Sequence, residues 1–293
     1  MKRVWPWCLP IRGILSTRFL PLVKIPIERF ALLMTKRFLP SFLLCTSILF
    51  NGCGTAMLSD EHLARRSKSQ FSKMKAKEPI SANSSHQAMI ERIGKRITKV
   101  ARVDLPGTEW EFVVFQKSEP NAFAMPGGKV GVNSGLIDLA GGNEDEVAAV
   151  IGHEIAHVAC RHSNKKMTQA MGIALGGVIL NTAMRNKSST DRLLATGAYG
   201  AGTTVGMALP FSRSQEQEAD HRGLYYSARA GYDPRAAISF WQKMQGRKKR
   251  YMPQFLSTHP NPGNRIQFLQ SHMNQAYSLY VEAKKARGET PNP

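Results

Sequence analysis

Residues 143–158 of this 293-residue chain read Asn-Glu-Asp-Glu-Val-Ala-Ala-Val-Ile-Gly-His-Glu-Ile-Ala-His-Val. Asn143 is a favourable residue for a helix N-cap, and the acidic residues that follow it suit the positive end of a helix dipole. Apolar residues then recur with helical periodicity through Val158. The segment therefore predicts a helix that carries the motif His153-Glu154-Ile155-Ala156-His157.

His153 and His157 are one turn apart on that helix. Residues i and i+4 lie about 40° apart around the helix axis, so both imidazoles can bind the same metal ion. Glu154 can take a proton from a zinc-bound water, whose pKa falls to about 7. The pattern predicts a zinc site with Glu154 as general base. The alternative is two partly exposed histidines beside a surface glutamate.

A catalytic zinc takes a third protein ligand and keeps a fourth position open. The segment 213–220 offers Glu216, Glu218 and Asp220. In a helix Glu216 and Asp220 share one face, whereas Glu218 points about 200° away from Glu216. With Glu216 as ligand, Asp220 can hold the outer nitrogen of a ligand histidine. With Glu218 as ligand, the cation Arg222 would occupy that supporting position. We therefore favour Glu216.

His259, which precedes Pro260, leaves three interpretations open. It either stabilises the oxyanion, takes the fourth zinc position and holds the enzyme latent, or caps the following helix. For Cys160, a buried apolar role is favoured over a metal-ligand role, because a cysteine ligand would close the catalytic position. We interpret the five other histidines as structural or solvated: His62, His86, His162, His221 and His272.

The N-terminal region has the pattern of a bacterial lipoprotein signal. From Met34 a short basic stretch is followed by an apolar run, a small residue and Cys53. The apolar run is too short for a transmembrane helix, which needs about 20 residues. We predict a signal peptide at 34–52 and lipidation of Cys53. Gly54, where an aspartate is absent, favours the outer over the inner membrane.

Residues 1–33 are rich in Pro, Arg and Trp and resemble nothing needed ahead of such a signal. We expect translation to begin at Met34 rather than at Met1. The alternative is an unusually long basic region before the apolar run.

The rest of the chain predicts a single α+β domain that is mainly helical. Residues 53–85 are polar and are interpreted as a lipidated tether. Short strands at 111–115 and 129–133 form a small sheet beside the helix with the His-Glu motif. The domain is expected to span 86–275, and residues 276–293 are interpreted as a C-terminal tail.

Several motifs together resemble the M48 family of zinc endopeptidases, and in particular its short periplasmic lipoprotein branch in Gram-negative bacteria. They are Asn121-Ala122 with Pro126-Gly127-Gly128, the motif at 153–157, Glu216 with Ala219 and Asp220, Ala230 to Pro234, His259-Pro260, and Arg265-Ile266. The resemblance implies a gluzincin fold in which His153, His157 and Glu216 bind one zinc ion. It also implies that Glu154 is the base and Asp220 a further active-site carboxylate.

The resemblance implies a zinc endopeptidase that cleaves unfolded or misassembled envelope proteins. Together with the signal pattern at 34–52 and Cys53, it predicts an enzyme anchored by lipid at the periplasmic side of the outer membrane. The alternative is a latent or non-proteolytic assembly factor or chaperone for outer-membrane proteins. The net charge of +19 favours contact with acidic lipid or lipopolysaccharide. The basic residues 247–250 are candidates for this contact, and the alternative is a loop of solvated charge. We predict no specific nucleic-acid partner.

Overall fold

The computed structural model describes residues 59–208, 211–247, 254–259 and 263–292. The predicted signal peptide at 34–52, the lipidation site Cys53 and residues 1–33 lie outside this part of the chain, so those predictions stay predictions. Within the described ranges, no helix combines the length and apolar character that crossing a membrane requires.

Helices dominate the described residues, with one small sheet, which confirms the predicted mainly helical α+β class. The strands are β1 (Glu111–Phe115), β2 (Ala122–Met125) and β3 (Lys129–Asn133). The helices are α1 (Asp60–Lys77), α2 (Ser84–Ala101), α3 (Ser134–Ala140), α4 (Glu144–Ala159), α5 (His162–Ala183), α6 (Ser189–Ala208), α7 (Arg213–Arg229), α8 (Arg235–Arg247), α9 (Gln254–Thr258) and α10 (Arg265–Ala286).

The sheet has the strand order β1-β3-β2, so β2 forms one edge. Strand β3 runs parallel to β1 and antiparallel to β2. The turn between β2 and β3 contains Gly127 and Gly128 with φ of 81° and 80°, a conformation that L residues rarely adopt. The tight turn leaves β2 alongside α4, where it can reach the active-site motif.

Helix α4 begins as its sequence predicts. The Asn143 side chain accepts hydrogen bonds from the N–H groups of Asp145 and Glu146, at 3.0 and 3.2 Å. Most of its apolar residues are buried in the main core, and Ile151 and Ile155 are completely so. Because the helix is covered on all sides, its two histidines are held in the interior and not at the surface.

Helices α4 and α7 approach to backbone contact. A Cβ atom built on Gly152 would lie 2.7 Å from the Gly223 carbonyl oxygen, and one on Gly223 would lie 2.7 Å from the His153 backbone nitrogen. Only hydrogen atoms fit between the two backbones at this crossing. Ser227 secures it by donating a hydrogen bond to the Ala148 carbonyl oxygen at 2.9 Å.

The interpretation of all residues from 53 to 85 as a tether is wrong for α1. Phe71 on this helix is 1% exposed and packs edge-on against Phe115 and Phe123, at ring-centroid distances of 6.1 and 6.3 Å. Helix α1 also forms an ion pair from Lys75 to Glu111. The domain therefore includes residues from about 60 onward.

The interpretation of residues 276–293 as a tail is also wrong as far as residue 292. Helix α10 continues to Ala286 and buries Tyr280. The Asn292 N–H donates to the Tyr280 hydroxyl at 2.9 Å, and the Arg287 guanidinium donates to the Ala230 carbonyl oxygen at 2.8 Å. These contacts fasten the C-terminal segment to the domain.

Helices α5 and α6 pack closely against each other, as the small residues of 170–209 predict. The Tyr199 hydroxyl on α6 donates to the Ile173 carbonyl oxygen on α5. The outer surface of the pair is apolar and exposed, with Leu175, Val178, Ile179, Leu193 and Leu194 each more than half accessible.

We expect Phe71→Ala to lower the free energy of unfolding by about 3–5 kcal/mol, because it removes a buried aromatic ring and leaves a cavity. Urea denaturation measures the change. Lys73→Ala on the exposed face of the same helix is the control and should change stability by no more than about 0.5 kcal/mol. Equal effects of the two substitutions would contradict the docking of α1.

Candidate active site

Four helices bring the site residues together in the interior. Helix α4 provides His153, Glu154 and His157, and α7 provides Glu216 and Asp220. Helix α7 starts with a capping box formed by Ser212 and Gln215, which fixes the turn that holds Glu216. His259 follows α9, and Arg265 opens α10. All seven of the named site side chains from these helices are at most 4% exposed: His153, Glu154, His157, Glu216, Asp220, His259 and Arg265.

The atoms that could bind a metal converge on one point. His153 Nε2 lies 3.0 Å from His157 Nε2 and 3.6 Å from Glu216 Oε2. Glu216 Oε1 lies 3.3 Å from His157 Nε2. His259 Nδ1 lies 3.1 Å from Glu216 Oε1 and 3.3 Å from His153 Nε2. The structure thus brings the three predicted ligands and His259 into one cluster.

This cluster fits a zinc ion. Zinc takes imidazole nitrogen and carboxylate oxygen at about 2.0–2.2 Å in a tetrahedral arrangement, so neighbouring donor atoms are about 3.3 Å apart. The separations of 3.0 to 3.6 Å between the donors follow that spacing. The donor set of histidines with one glutamate is also chemically suited to zinc.

His259 lies at the fourth corner of the donor set. Its other ring nitrogen, Nε2, is 3.4 Å from Glu154 Oε1, and its ring stacks on Phe255 at a centroid distance of 4.6 Å. The N-cap position of α10 is occupied by Asn264. The histidine therefore faces the metal ligands and the base, and not the start of the following helix.

A second set of contacts holds the ligands in place. Asp220 Oδ1 lies 2.9 Å from His153 Nδ1, the ring nitrogen that faces away from the cluster. Arg265 Nε donates to Asp220 Oδ2 at 2.6 Å, and its Nη2 donates to Glu216. The guanidinium lies 3.9 Å from the centroid of the Trp241 ring. Arg265 thus fixes the relative positions of the two carboxylates on α7.

Burial and neighbouring charges alter the protonation of the cluster. Burial lowers the pKa of His153, but hydrogen bonds to Asp220 and Glu216 outweigh it and raise the pKa to about 9. Burial lowers the pKa of His157 well below its usual range. For Glu216, burial opposes ionisation, yet its bonds to three histidines hold its pKa far below the ordinary value. Glu216 is thus a carboxylate and His157 a neutral imidazole, the forms that bind metal, whereas His153 releases a proton when its Nε2 binds a metal.

Glu154 faces a cleft. Its Oε2 accepts a hydrogen bond from the Ala124 N–H of β2 at 3.2 Å, whereas Oε1 has no hydrogen-bond partner within the described part of the chain. Burial raises the pKa of this carboxyl. The adjoining cleft has a volume of about 560 Å³ and is lined on one side by Asn121 to Ala124 and on the other by α5.

Comparison with known proteins defines the class. Residues 84–273 match peptidase family M48, so the chain belongs to this family, which has a zincin-type fold. The match contains every metal-ligand candidate described above.

Similar proteins include the mitochondrial metalloendopeptidase OMA1 of Schizosaccharomyces pombe, which is 33% identical over 64% of this chain and 53% of its own length. The corresponding protein of Saccharomyces cerevisiae is 31% identical over 66% of this chain and 58% of its own length. The β-barrel assembly-enhancing protease of Escherichia coli is 32% identical over 67% of this chain and 40% of its own length. The chain therefore spans between two fifths and three fifths of these relatives.

Two residues at the site were not identified from the sequence alone. Arg265 is one, although it belongs to a motif that supports the family resemblance. His162 is the other: it was interpreted as structural or solvated, yet it is fully buried with Nδ1 2.9 Å from His157 Nδ1. Glu218, which the sequence disfavoured as a zinc ligand, has its Oε2 3.1 Å from His162 Nε2. Cys160 lies close to His162 and Glu218, and burial raises the pKa of its thiol to about 12.

We expect Arg265→Gln to destabilise the metal-free protein by about 3–5 kcal/mol, because it leaves two buried carboxylates without their cation. Urea denaturation in the presence of a chelator measures this. The matched control is Arg65→Gln, which removes a partner of the exposed Glu61 and should cost no more than about 1 kcal/mol. A similar small loss for both variants would show that Arg265 does not compensate the carboxylates.

Proposed function

We propose that the protein is a zinc-dependent endopeptidase in which His153, His157 and Glu216 hold one zinc ion. The observation that carries the proposal is the convergence of these three donor atoms beside a buried glutamate that faces a cleft. Membership of peptidase family M48 supports the same activity.

The residues of the chain divide the chemistry among them. When bound, zinc supplies a Lewis acid that polarises the scissile carbonyl and makes water more acidic. Glu154 is held by the Ala124 N–H through Oε2, which leaves Oε1 to accept the proton of the attacking water and return it to the departing amine. Burial raises the pKa of Glu154 and so makes it a stronger base. Asp220 holds His153 in the orientation that directs Nε2 to the metal.

The substrate is proposed to bind as an extended strand along β2. This strand is the edge of the sheet and lines the cleft with Ala122, Phe123 and Ala124. Pairing through backbone groups gives affinity with little dependence on side chains. A folded protein rarely offers a free extended segment, so unfolded or misassembled proteins are the substrates that suit this site.

His259 gives this conformation the properties of a latent enzyme. Its Nδ1 is within 3.3 Å of both His153 and Glu216, where it competes with water for the fourth metal position. Its place in this cluster favours latency over the oxyanion role, because its Nδ1 lies at the spacing of a fourth metal donor from His153 and Glu216. The same observation favours a second candidate function, a latent assembly factor that binds client proteins without cleaving them.

The proposed location is the periplasmic face of the outer membrane, with Cys53 as lipid anchor. The Escherichia coli relative is named for β-barrel assembly, and β-barrel proteins of this kind belong to bacterial outer membranes. Misassembled envelope proteins are therefore the proposed substrates. The charge of +19 supports an additional contact with acidic lipid or lipopolysaccharide.

We expect Glu154→Gln to reduce cleavage of an unfolded protein by at least about 100-fold, because an amide cannot accept the water proton. Zinc content should stay near one ion per chain, because the three ligands are unchanged. Elemental analysis measures the zinc content, and hydrolysis of fluorescently labelled casein measures the cleavage. If neither wild type nor variant cleaves but both bind the client equally, the protein is an assembly factor and not a peptidase.

His259→Ala should increase cleavage about tenfold or more while zinc stays bound, because the substitution opens the fourth position. The matched control is His272→Ala, a histidine on α10 that packs against His221 and Phe268 away from the cluster. Decreased turnover in His259→Ala alone would support the oxyanion role instead. Unchanged turnover would remove His259 from the mechanism.

A further inference from the structure

His162 and Glu218 lie next to His157, on the side away from the metal cluster, and have no role in the proposed chemistry. His162 is fully buried, its Nδ1 is 2.9 Å from His157 Nδ1, and its Nε2 is 3.1 Å from Glu218 Oε2. The Glu218 side chain is partly exposed, at 42%. The three side chains form a line from the metal cluster to the surface.

The chain makes a strained turn to place His162 there. Arg161, between α4 and α5, has φ of 56° and is the one residue other than glycine with positive φ among the residues described. A side chain in this left-handed conformation is energetically unfavourable. The turn reverses the chain directly after α4, which brings the first residue of α5 back against His157. The strain therefore coincides with a specific contact to a ligand candidate.

The hydrogen positions along this line are determined once His157 binds a metal. If His157 Nε2 is the ligand atom, the ring proton is on Nδ1. That N–H can only donate to His162 Nδ1, so the proton of His162 is on Nε2. The Nε2–H then donates to the Glu218 carboxylate. Each donor meets one acceptor, and no alternative arrangement satisfies all three groups.

We propose that His162, with Glu218, is a positioning residue that fixes the tautomer and ring orientation of the zinc ligand His157. The proposal rests on the zinc site proposed above. Under this proposal each of the two histidine ligands is supported by a carboxylate. His153 has Asp220 directly behind it, and His157 reaches Glu218 through His162. In both cases a carboxylate increases the basicity of the ligand nitrogen.

A different use of the same residues is a second metal site. Cys160, His162 and Glu218 offer donor atoms that all lie within 4.8 Å of one another. A metal on His162 Nε2 would move the ring proton to Nδ1. That N–H would face the N–H of zinc-bound His157 at 2.9 Å, and two donors would then repel each other. The geometry therefore favours the hydrogen-bonded line whenever His157 holds zinc.

The test compares two substitutions of nearly equal shape, His162→Leu and His162→Asn. Leucine fills the space but cannot accept a hydrogen bond, whereas the asparagine oxygen can occupy approximately the place of Nδ1. Zinc affinity is measured by competition with a chromophoric chelator. We expect about 10- to 100-fold weaker binding for His162→Leu and binding within about threefold of wild type for His162→Asn.

Substitution of zinc by cobalt(II) provides a second measurement on the two His162 variants. The visible absorption of cobalt reports ligand geometry, so the spectrum should change for His162→Leu and resemble wild type for His162→Asn. His221→Leu is the control, because His221 packs against Tyr225 and His272 and contacts neither His157 nor His162 in the described structure. Circular dichroism of each metal-free variant verifies that it is folded.

Two results would overturn the proposal. Equal zinc affinity for the leucine and asparagine variants would mean that His162 has only a packing role. Two zinc ions per wild-type chain, one of which is lost in both variants, would identify a second metal site. Absence of zinc binding by folded wild type would instead contradict the proposed function itself.

Discussion

The contact between Gly152 on α4 and Gly223 on α7 determines where the site residues lie. The two backbones are so close that a single Cβ atom at either position would collide with the other helix. Glu216, Asp220 and Gly223 are spaced at i, i+4 and i+7, so one face of α7 carries both carboxylates and the contact point. Because the contact anchors that face against α4, Glu216 and Asp220 meet His153 and His157 without a flexible connection.

The interior placement of the site creates an electrostatic problem that the fold solves locally. Glu154, Glu216 and Asp220 are buried together, and buried carboxylates are costly unless they are paired. Arg265 bonds to two of them, and the histidines bond to Glu216. Glu154 keeps one oxygen without a hydrogen bond among the described residues, although His259 Nε2 lies 3.4 Å from it, as suits a group that must accept a proton. Glu216 and Asp220 are therefore the paired carboxylates that stabilise the site, and Glu154 is the reactive one.

Local sequence rules were sufficient for the elements that depend on neighbouring residues in the chain. The cap at Asn143, the strands β1 and β3, and the shared face of Glu216 and Asp220 all follow from periodicity and turn chemistry. The docking of helix α1 on the domain was missed because its polar, basic sequence contains only a small apolar face, with Leu63 and Phe71. His162 was missed because its position depends on the left-handed conformation of Arg161, which nothing in the composition of that residue requires. Predictions for residues before 59 remain untested.

The position of His259 decides whether this conformation is active or latent, and the composition of the metal's ligand shell is its clearest signature. X-ray absorption at the zinc edge of the resting protein measures that shell. With His259 in the fourth position, we expect four nitrogen or oxygen donors at about 2.0–2.2 Å, of which three are imidazoles. A shell with only two imidazoles would contradict His259 as the fourth ligand, and a sulfur donor at about 2.3 Å would place the metal at Cys160 instead.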